Sequence, residues 1–411
     1  MTKKFKHWQR ASLGELGSTL SFTTSLNREH LSPEKQGKAV LHFMQIARDY
    51  TLPYLKKPLS YSSKLSARAK ALPYQAIAFP AVADASNTPV RRALINLSKQ
   101  PVYPGRDIFA FILAPEKEEL LLPEFINWLI YAQPQRLKDV QQRTGGTISH
   151  LRRQEINDIL IDYPSLDEQK KLVQLYNTQA QLIEDYAALI EYTTLQIKAL
   201  KQRHFLSRAP LPIRLAIANG ENNLADPKHP GWSWHSVESL ASAISTGKED
   251  QELKLEDLSP DPTSATPYPY YTRGQDVRYT DRANYAGPCI LYANDGYNVG
   301  VSHYVPEGKL FSSYARLILI RGFNLAVVPR YLAYALDHFS KYEELQGAGG
   351  FPLASLQKMA VALPSLVQQS EFTQLLESLE LTLKVHKKLH AKALLQFAAI
   401  LNFTLEPYKK A

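Results

Sequence analysis

Residues 163–205 read YPSLDEQKKLVQLYNTQAQLIEDYAALIEYTTLQIKALKQRHF, and this stretch decides the fold. Pro164 stops what precedes it, and Ser165 or Asp167 is placed to accept an orphan backbone N–H at a helix start. No Pro or Gly then appears before Pro210. Val173, Tyr176, Ala180, Ile183, Ala187, Ile190, Thr194 and Ile197 recur at alternating spacings of three and four, which predicts a coiled-coil seam. Leu172, Leu175, Leu182 and Leu189 widen the apolar face. A helix of about 40 residues spans roughly 60 Å and needs a partner along most of its length.

The sequence offers one at the C-terminus. Residues 363–401 open LPSLVQQ and run on without Pro or Gly. Phe372, Leu376, Leu379, Leu383, His386, His390, Ala393, Phe397 and Ile400 form the matching stripe. Pro364 stands 200 residues after Pro164, and Gln369 after Gln169. Further landmarks repeat in the same order. Trp8 aligns with Trp232, Pro123-Glu-Phe-Ile with Pro329-Arg-Tyr-Leu, and Gly145-Gly146 with Gly349-Gly350. The chain reads as a duplicated module of globular domain and long helix. Its expected divisions are 1–162 and 232–362 for the domains, 163–207 and 363–403 for the helices, 208–231 for a linker and 404–411 for a tail.

Between the landmarks the repeats differ. Residues 1–165 hold 23 Lys and Arg against 14 Asp and Glu, so the formal +9 of the 411 residues sits there. A basic surplus in one domain favours a polyanionic partner. The second domain is rich in tyrosine instead (Tyr268, Tyr270, Tyr271, Tyr279 among them). Strand-like runs in the first domain are Val40–Ile46, Ala76–Phe79, Ala93–Leu97 and Ile108–Leu113, and a helix is expected from Pro123.

The lone Cys289 excludes an intramolecular disulfide and any multi-cysteine metal site, and suits a reducing cytoplasm. The N-terminus lacks the apolar core of a signal peptide, and no apolar run reaches the ~20 residues of a membrane span. A cytoplasmic protein without a membrane partner is expected. No phosphate-loop, zinc-protease, deaminase or adenine-methyltransferase string is present, so neither catalysis nor a cofactor or metal is expected. Glu252 and Lys254 have half of a nuclease carboxylate–lysine pattern, but they sit in the solvated run KEDQELKLED.

The two Pro-Ser-Leu-x-x-Gln helix entries, the Gly-Gly turns and the paired long helices resemble the specificity subunit of Type I restriction–modification systems over essentially the whole chain. Cys289-Ile-Leu-Tyr-Ala-Asn-Asp-Gly-Tyr-Asn-Val-Gly is similar to that family's strand and glycine loop, with one extra residue before Gly300. The resemblance implies an α+β fold: two α/β target-recognition domains, each followed by a long helix, with the two helices pairing as an antiparallel coiled coil that acts as a spacer. It also implies a non-catalytic role: double-stranded DNA is read as a split, asymmetric site, two methyltransferase subunits dock on the helices, and motor–nuclease subunits join for restriction. Residue chemistry then nominates Lys64, Arg68, Asn87, Arg91, Arg92 and Arg143 in the first domain as DNA contacts. In the second it nominates Arg273, Gln275, Arg278, Arg282, Tyr297 and Asn298. A coiled-coil scaffold with duplicated protein-binding domains is the alternative from another class, and DNA mobility shifts separate the two.

Overall fold

The computed structural model describes residues 8–22, 24, 26, 28–82, 92–140, 150–247, 253, 255–342 and 351–405. The chain forms two compact units, one of residues 1–188 with 387–411 and the other of residues 189–386. The division falls inside both long helices, so each unit holds part of each.

The first unit runs β1 (Gln9–Ser12), α1 (Leu13–Leu16), β2 (Gly17–Ser21), β3 (Lys38–Leu41), β4 (Tyr54–Leu55), β5 (Ser60–Ser62), β6 (Ile77–Pro80), β7 (Leu94–Asn96), β8 (Val102–Pro104) and β9 (Ile108–Leu113). Then come α2 (Pro123–Ala132), α3 (Gln135–Val140), α4 (Arg153–Asn157), β10 (Leu160–Tyr163) and the start of α5 (Leu166–His204). β1 pairs antiparallel with β10, closing the globular part where it begins and ends. Ser12 then turns the chain through a reciprocal capping box with Glu15. One sheet has the order β2-β9-β6-β7-β4 and a smaller one β5-β3-β8. All four residues of β6, IAFP, are buried, as a strand covered on both faces requires.

The second unit contains α6 (Leu211–Ala218), β11 (Leu224–Ala225), β12 (Ser233–Ser236), α7 (Val237–Leu240), β13 (Ala241–Thr246), β14 (Tyr268–Tyr271), β15 (Val277–Thr280), β16 (Tyr285–Ala286) and β17 (Cys289–Ala293). It continues with β18 (Ser302–Val305), β19 (Leu310–Ser313), β20 (Leu317–Phe323), α8 (Pro329–Phe339), α9 (Leu353–Gln357), β21 (Ala360–Leu363) and α10 (Leu366–Leu405). β12 pairs with β21 as β1 does with β10. The order β13-β20-β17-β18 repeats β2-β9-β6-β7, and β15-β14-β19 repeats β5-β3-β8 with the same parallel and antiparallel pairings. The duplication is therefore one of topology as well as of motifs. Residues 208–231 carry α6, with Ile213 and Ile217 in the core, and β11 on the edge of β12.

The long helices α5 and α10 pair within each unit. In the first, Tyr176, Ala180 and Ile183 share a core with Ala393, Phe397, Leu401 and Leu405, and the Tyr176 hydroxyl lies 2.6 Å from Thr404 Oγ1. In the second, Thr193 meets His386 and the His204 ring stacks on Phe372 at 3.7 Å, so the two helices run antiparallel. Trp128 on α2 packs edge-on against Tyr176 and Phe397 and donates to Asn177 Oδ1 at 3.1 Å. Tyr334, at the same place on α8, meets Phe372 and donates to Glu380.

The Pro-Ser-Leu-x-x-Gln signature has a direct physical reason. Gln169 is fully buried: its Oε1 accepts from the Leu122 N–H, and its Nε2 donates to the Leu120 and Pro164 carbonyls, all at 2.9 Å. Gln369 makes the same three bonds to Val328, Ala326 and Pro364. Each glutamine fastens the start of a long helix to the loop entering α2 or α8. It satisfies backbone groups that burial would otherwise orphan.

The Val40–Ile46 run departs from its expected strand. β3 ends at Leu41, because Gln45 Oε1 accepts from the His42 N–H and His42 Nδ1 from the Met44 N–H. These local side-chain bonds bend the chain into a helical turn. Burial also pushes His42, His235, His303 and His338 below the usual imidazole range, and holds His204 at about 4 with His338 as a lesser cause. The unfolded chain takes up protons below about pH 6.5 that these folded sites refuse, so stability falls as pH drops from there toward 4. His204 alone is expected to remove roughly 1–2 kcal/mol at pH 5. Denaturation of wild type and His204→Phe at pH 7.5 and pH 5 checks this; equal pH sensitivity in both would refute it.

Candidate nucleic-acid interface

In the second unit the turn between β14 and β15 and the segment after β17 are tied together. Arg273 Nη1 lies 2.9 Å from Asp295 Oδ1, with its guanidinium over the Tyr314 ring. Asp295 Oδ2 lies 3.8 Å from Arg316 Nη1, so one carboxylate orients two arginines whose side chains remain 40% and 64% exposed. On β18, His303 Nε2 lies 2.7 Å from the Gly274 carbonyl, and a bond there requires the Nε2–H tautomer. The far end of the 294–300 segment is set by Gly300, at φ +95, where a Cβ would stand 2.8 Å from Ser340 Cβ. Backbone and side-chain ties thus hold a cationic edge in place.

The nominated residues distribute around this edge. Gln275 is exposed in the same turn as Arg273, and Asn298 is exposed at the end of the Gly296–Asn298 turn that also contains Tyr297. Arg278 is half-buried in β15 opposite Tyr270. Arg282 is exposed beside Asp281 at 3.5 Å, and its carbonyl accepts from Ser312. In the first unit Lys64 and Arg68 are exposed on the segment after β5, which corresponds to the Arg282 segment after β15. Arg92 is half-buried and donates Nη1 to the Tyr50 carbonyl at 3.2 Å, so it braces that turn. Asn87, Arg91, Arg143, Glu252, Lys254 and both Gly-Gly pairs lie outside the described residues. Arg316 and Asp295 are not among the sequence candidates for DNA contact; the sequence signal for Arg316 is a cation directly before the apolar run Leu317–Ile320.

Along the helices, Val173, Tyr176, Ala180, Ile183, Phe372, Leu376 and Phe397 are buried, and Ile190, Ile197, Leu379 and Leu383 are half-buried. Ala187 is exposed, and Thr193 rather than Thr194 is buried, its hydroxyl bonded back to the Leu189 carbonyl. Leu175, Leu182 and Leu189 face solvent at seven-residue intervals. A cavity of about 770 Å3 lies between α5 and the start of α2, lined in part by Glu124, Asn177 and Leu182. Burial raises the Glu124 carboxyl, against its bond from Asn177. At the equivalent place in the second unit Arg330 pairs with Glu377 and Glu380.

Among the described residues no cluster of His, Cys, Asp or Glu is arranged to hold a metal ion, and no helix is long and apolar enough to cross a membrane. No protein-family model and no curated protein matches the chain. A solved structure does: the Type I restriction–modification system S subunit from M. genitalium superposes with a TM-score of 0.64 at 16% identity, over 98% of this chain and 96% of that one. The fold is that of a Type I S subunit. The S-subunit fold accounts for the two repeats and both long helices together, since the superposition spans all of them. Two other solved chains cover 97–98% of the sequence at lower TM-scores. They are an HsdS subunit from Thermoanaerobacter tengcongensis (TM-score 0.40, 17% identity, 97% of that chain) and a chain from a study of complex assembly and conformational transition in the type I R-M system (0.47, 14%, 97%).

Proposed function

We propose that this chain is the non-catalytic, DNA-reading specificity subunit of a Type I restriction–modification complex. Each unit reads one half of a bipartite, asymmetric duplex site. The helix pair carries two methyltransferase subunits, which flip adenines out of the stack for methylation, and motor–nuclease subunits join for restriction. One observation carries this reading: an S-subunit fold over 98% of the chain whose two repeats keep their strand order while their loops differ. A shared frame with unlike loops suits two readers of unlike sequences. The basic surplus of the first 165 residues supports a polyanionic partner.

The test is co-expression with the methyltransferase partner, followed by mapping of methylated adenines and by gel shifts of target duplex. A two-part methylated sequence that disappears when this chain is omitted is expected. Methylation independent of the chain, with no duplex binding by the complex, would favour the protein scaffold instead.

A further inference from the structure

We propose that the corner where the central strands of each unit end grips the phosphate backbone of duplex DNA, through Arg106, Arg152 and Arg153 in the first unit and Arg316 in the second. This rests on the DNA-reading function proposed above and assigns part of its chemistry.

In the first unit the corner is a cleft of about 550 Å3, lined by Arg106, His150, Arg152 and Arg153, with Asp107 the one carboxylate among the described lining residues. The four basic residues are all exposed. Three backbone segments meet there. The Ala81 N–H, just past β6, donates to the Asp107 carbonyl at 2.8 Å, and the Leu151 N–H donates to the Ala81 carbonyl at 2.9 Å. The arginines therefore project from backbone fixed by strand ends. Arg106 Nε lies 3.4 Å from Asp107 Oδ2, a side-chain pair on adjacent residues.

The second unit repeats the arrangement with a different sequence. Phe351, 200 residues after Leu151, donates its N–H to the Asn294 carbonyl just past β17, the counterpart of β6. The turn into β20, the counterpart of β9, carries Arg316, again with a carboxylate beside it, Asp295. Both repeats thus put a guanidinium at the turn entering the same central strand. If the repeats read different bases, a feature common to both belongs to the part of recognition that does not depend on sequence, which is the backbone. The planar guanidinium fork matches two phosphate oxygens, a geometry that lysine does not provide.

The experiment compares the full chain, bound to its methyltransferase partner, with the triple variant Arg106→Gln/Arg152→Gln/Arg153→Gln and with Arg316→Gln. Affinity for a target duplex is measured across a range of salt, and methylated sites are mapped. The slope of log K against log salt should become shallower by up to about three units for the triple variant and about one for Arg316→Gln, with the methylated sequence unchanged. The lysine versions keep the charge and should keep most of the slope, which separates charge loss from misfolding. Wild type binding with an unchanged slope in the glutamine variants removes this site alone, as does a changed target sequence, which would make these residues base readers. A wild-type complex that binds no duplex removes the DNA-reading function and this site with it.

Discussion

Gln169→Leu is expected to destabilise the first unit by about 3–5 kcal/mol while leaving the second nearly unchanged. Leucine fills a similar volume, so the loss comes from hydrogen bonds. The Leu122 N–H and the Leu120 and Pro164 carbonyls lose their bonds to a side chain with no exposure to solvent. The Pro164 carbonyl becomes a buried orphan at a cost of about 1–3 kcal/mol, and the Leu122 N–H and Leu120 carbonyl, on less buried residues, add a smaller cost each, against a domain stability of about 5–15 kcal/mol. Gln369→Leu should act in the same way on the second unit, where the three bonds are duplicated. The chain reports the two units separately: Trp8 and Trp128 lie in the first, Trp232 and Trp234 in the second. Replacing either tryptophan pair by phenylalanine isolates one fluorescence transition in urea. Equal midpoint shifts in both units, or none in either, would show that the glutamine does not fasten its own unit. Gln169→Glu sharpens the point, because it keeps an acceptor for Leu122 and removes both donors.

That glutamine also marks how far the sequence could be read. Its recurrence at 169 and 369, after matching prolines, was visible as a pattern, and with it came both long helices, the duplication and the α+β class. What it bonds was not visible, since Leu120 and Leu122 lie 47 to 49 residues away. The seam shows the same limit. Thr193 and Thr194 are neighbours with equal propensity, and a broad leucine stripe satisfies the same periodicity as the packed face. Only the partner helix determines which is buried. At the corner sites the arginines were countable, but their convergence depends on strand ends that tertiary pairing brings together. Arg106 and Arg152 are 46 positions apart in the chain and line one cleft. The glycine pairs and Asn87, Arg91 and Arg143 were legible as motif and charge, and they lie outside the described residues.

The helix pair gives the other large effect, and its geometry separates folding from assembly. Ile183 is 2% exposed and belongs to the core that includes Tyr176, Ala393 and Phe397. Ile183→Asp places an unpaired charge there, and is expected to cost about 3–5 kcal/mol unless the carboxyl takes up a proton. Ile190, half-buried, should respond by roughly half as much, because water reaches a charge at that position. Leu182, next to Ile183 in sequence, is 37% exposed and looks outward, so Leu182→Asp should leave the denaturation midpoint within about 0.5 kcal/mol of wild type. If the helices carry methyltransferase subunits, Ile183→Asp loses packing and assembly together. Leu182→Asp then keeps the folded chain and weakens assembly alone, since Leu182 and Leu175 belong to the apolar surface that α5 leaves exposed in the first unit. Urea titration of each variant, paired with size-exclusion chromatography of the co-expressed complex, distinguishes the two. Full assembly by Ile183→Asp at unchanged stability would show that this face is not buried. Full assembly by Leu182→Asp would move the docking surface away from the leucine stripe.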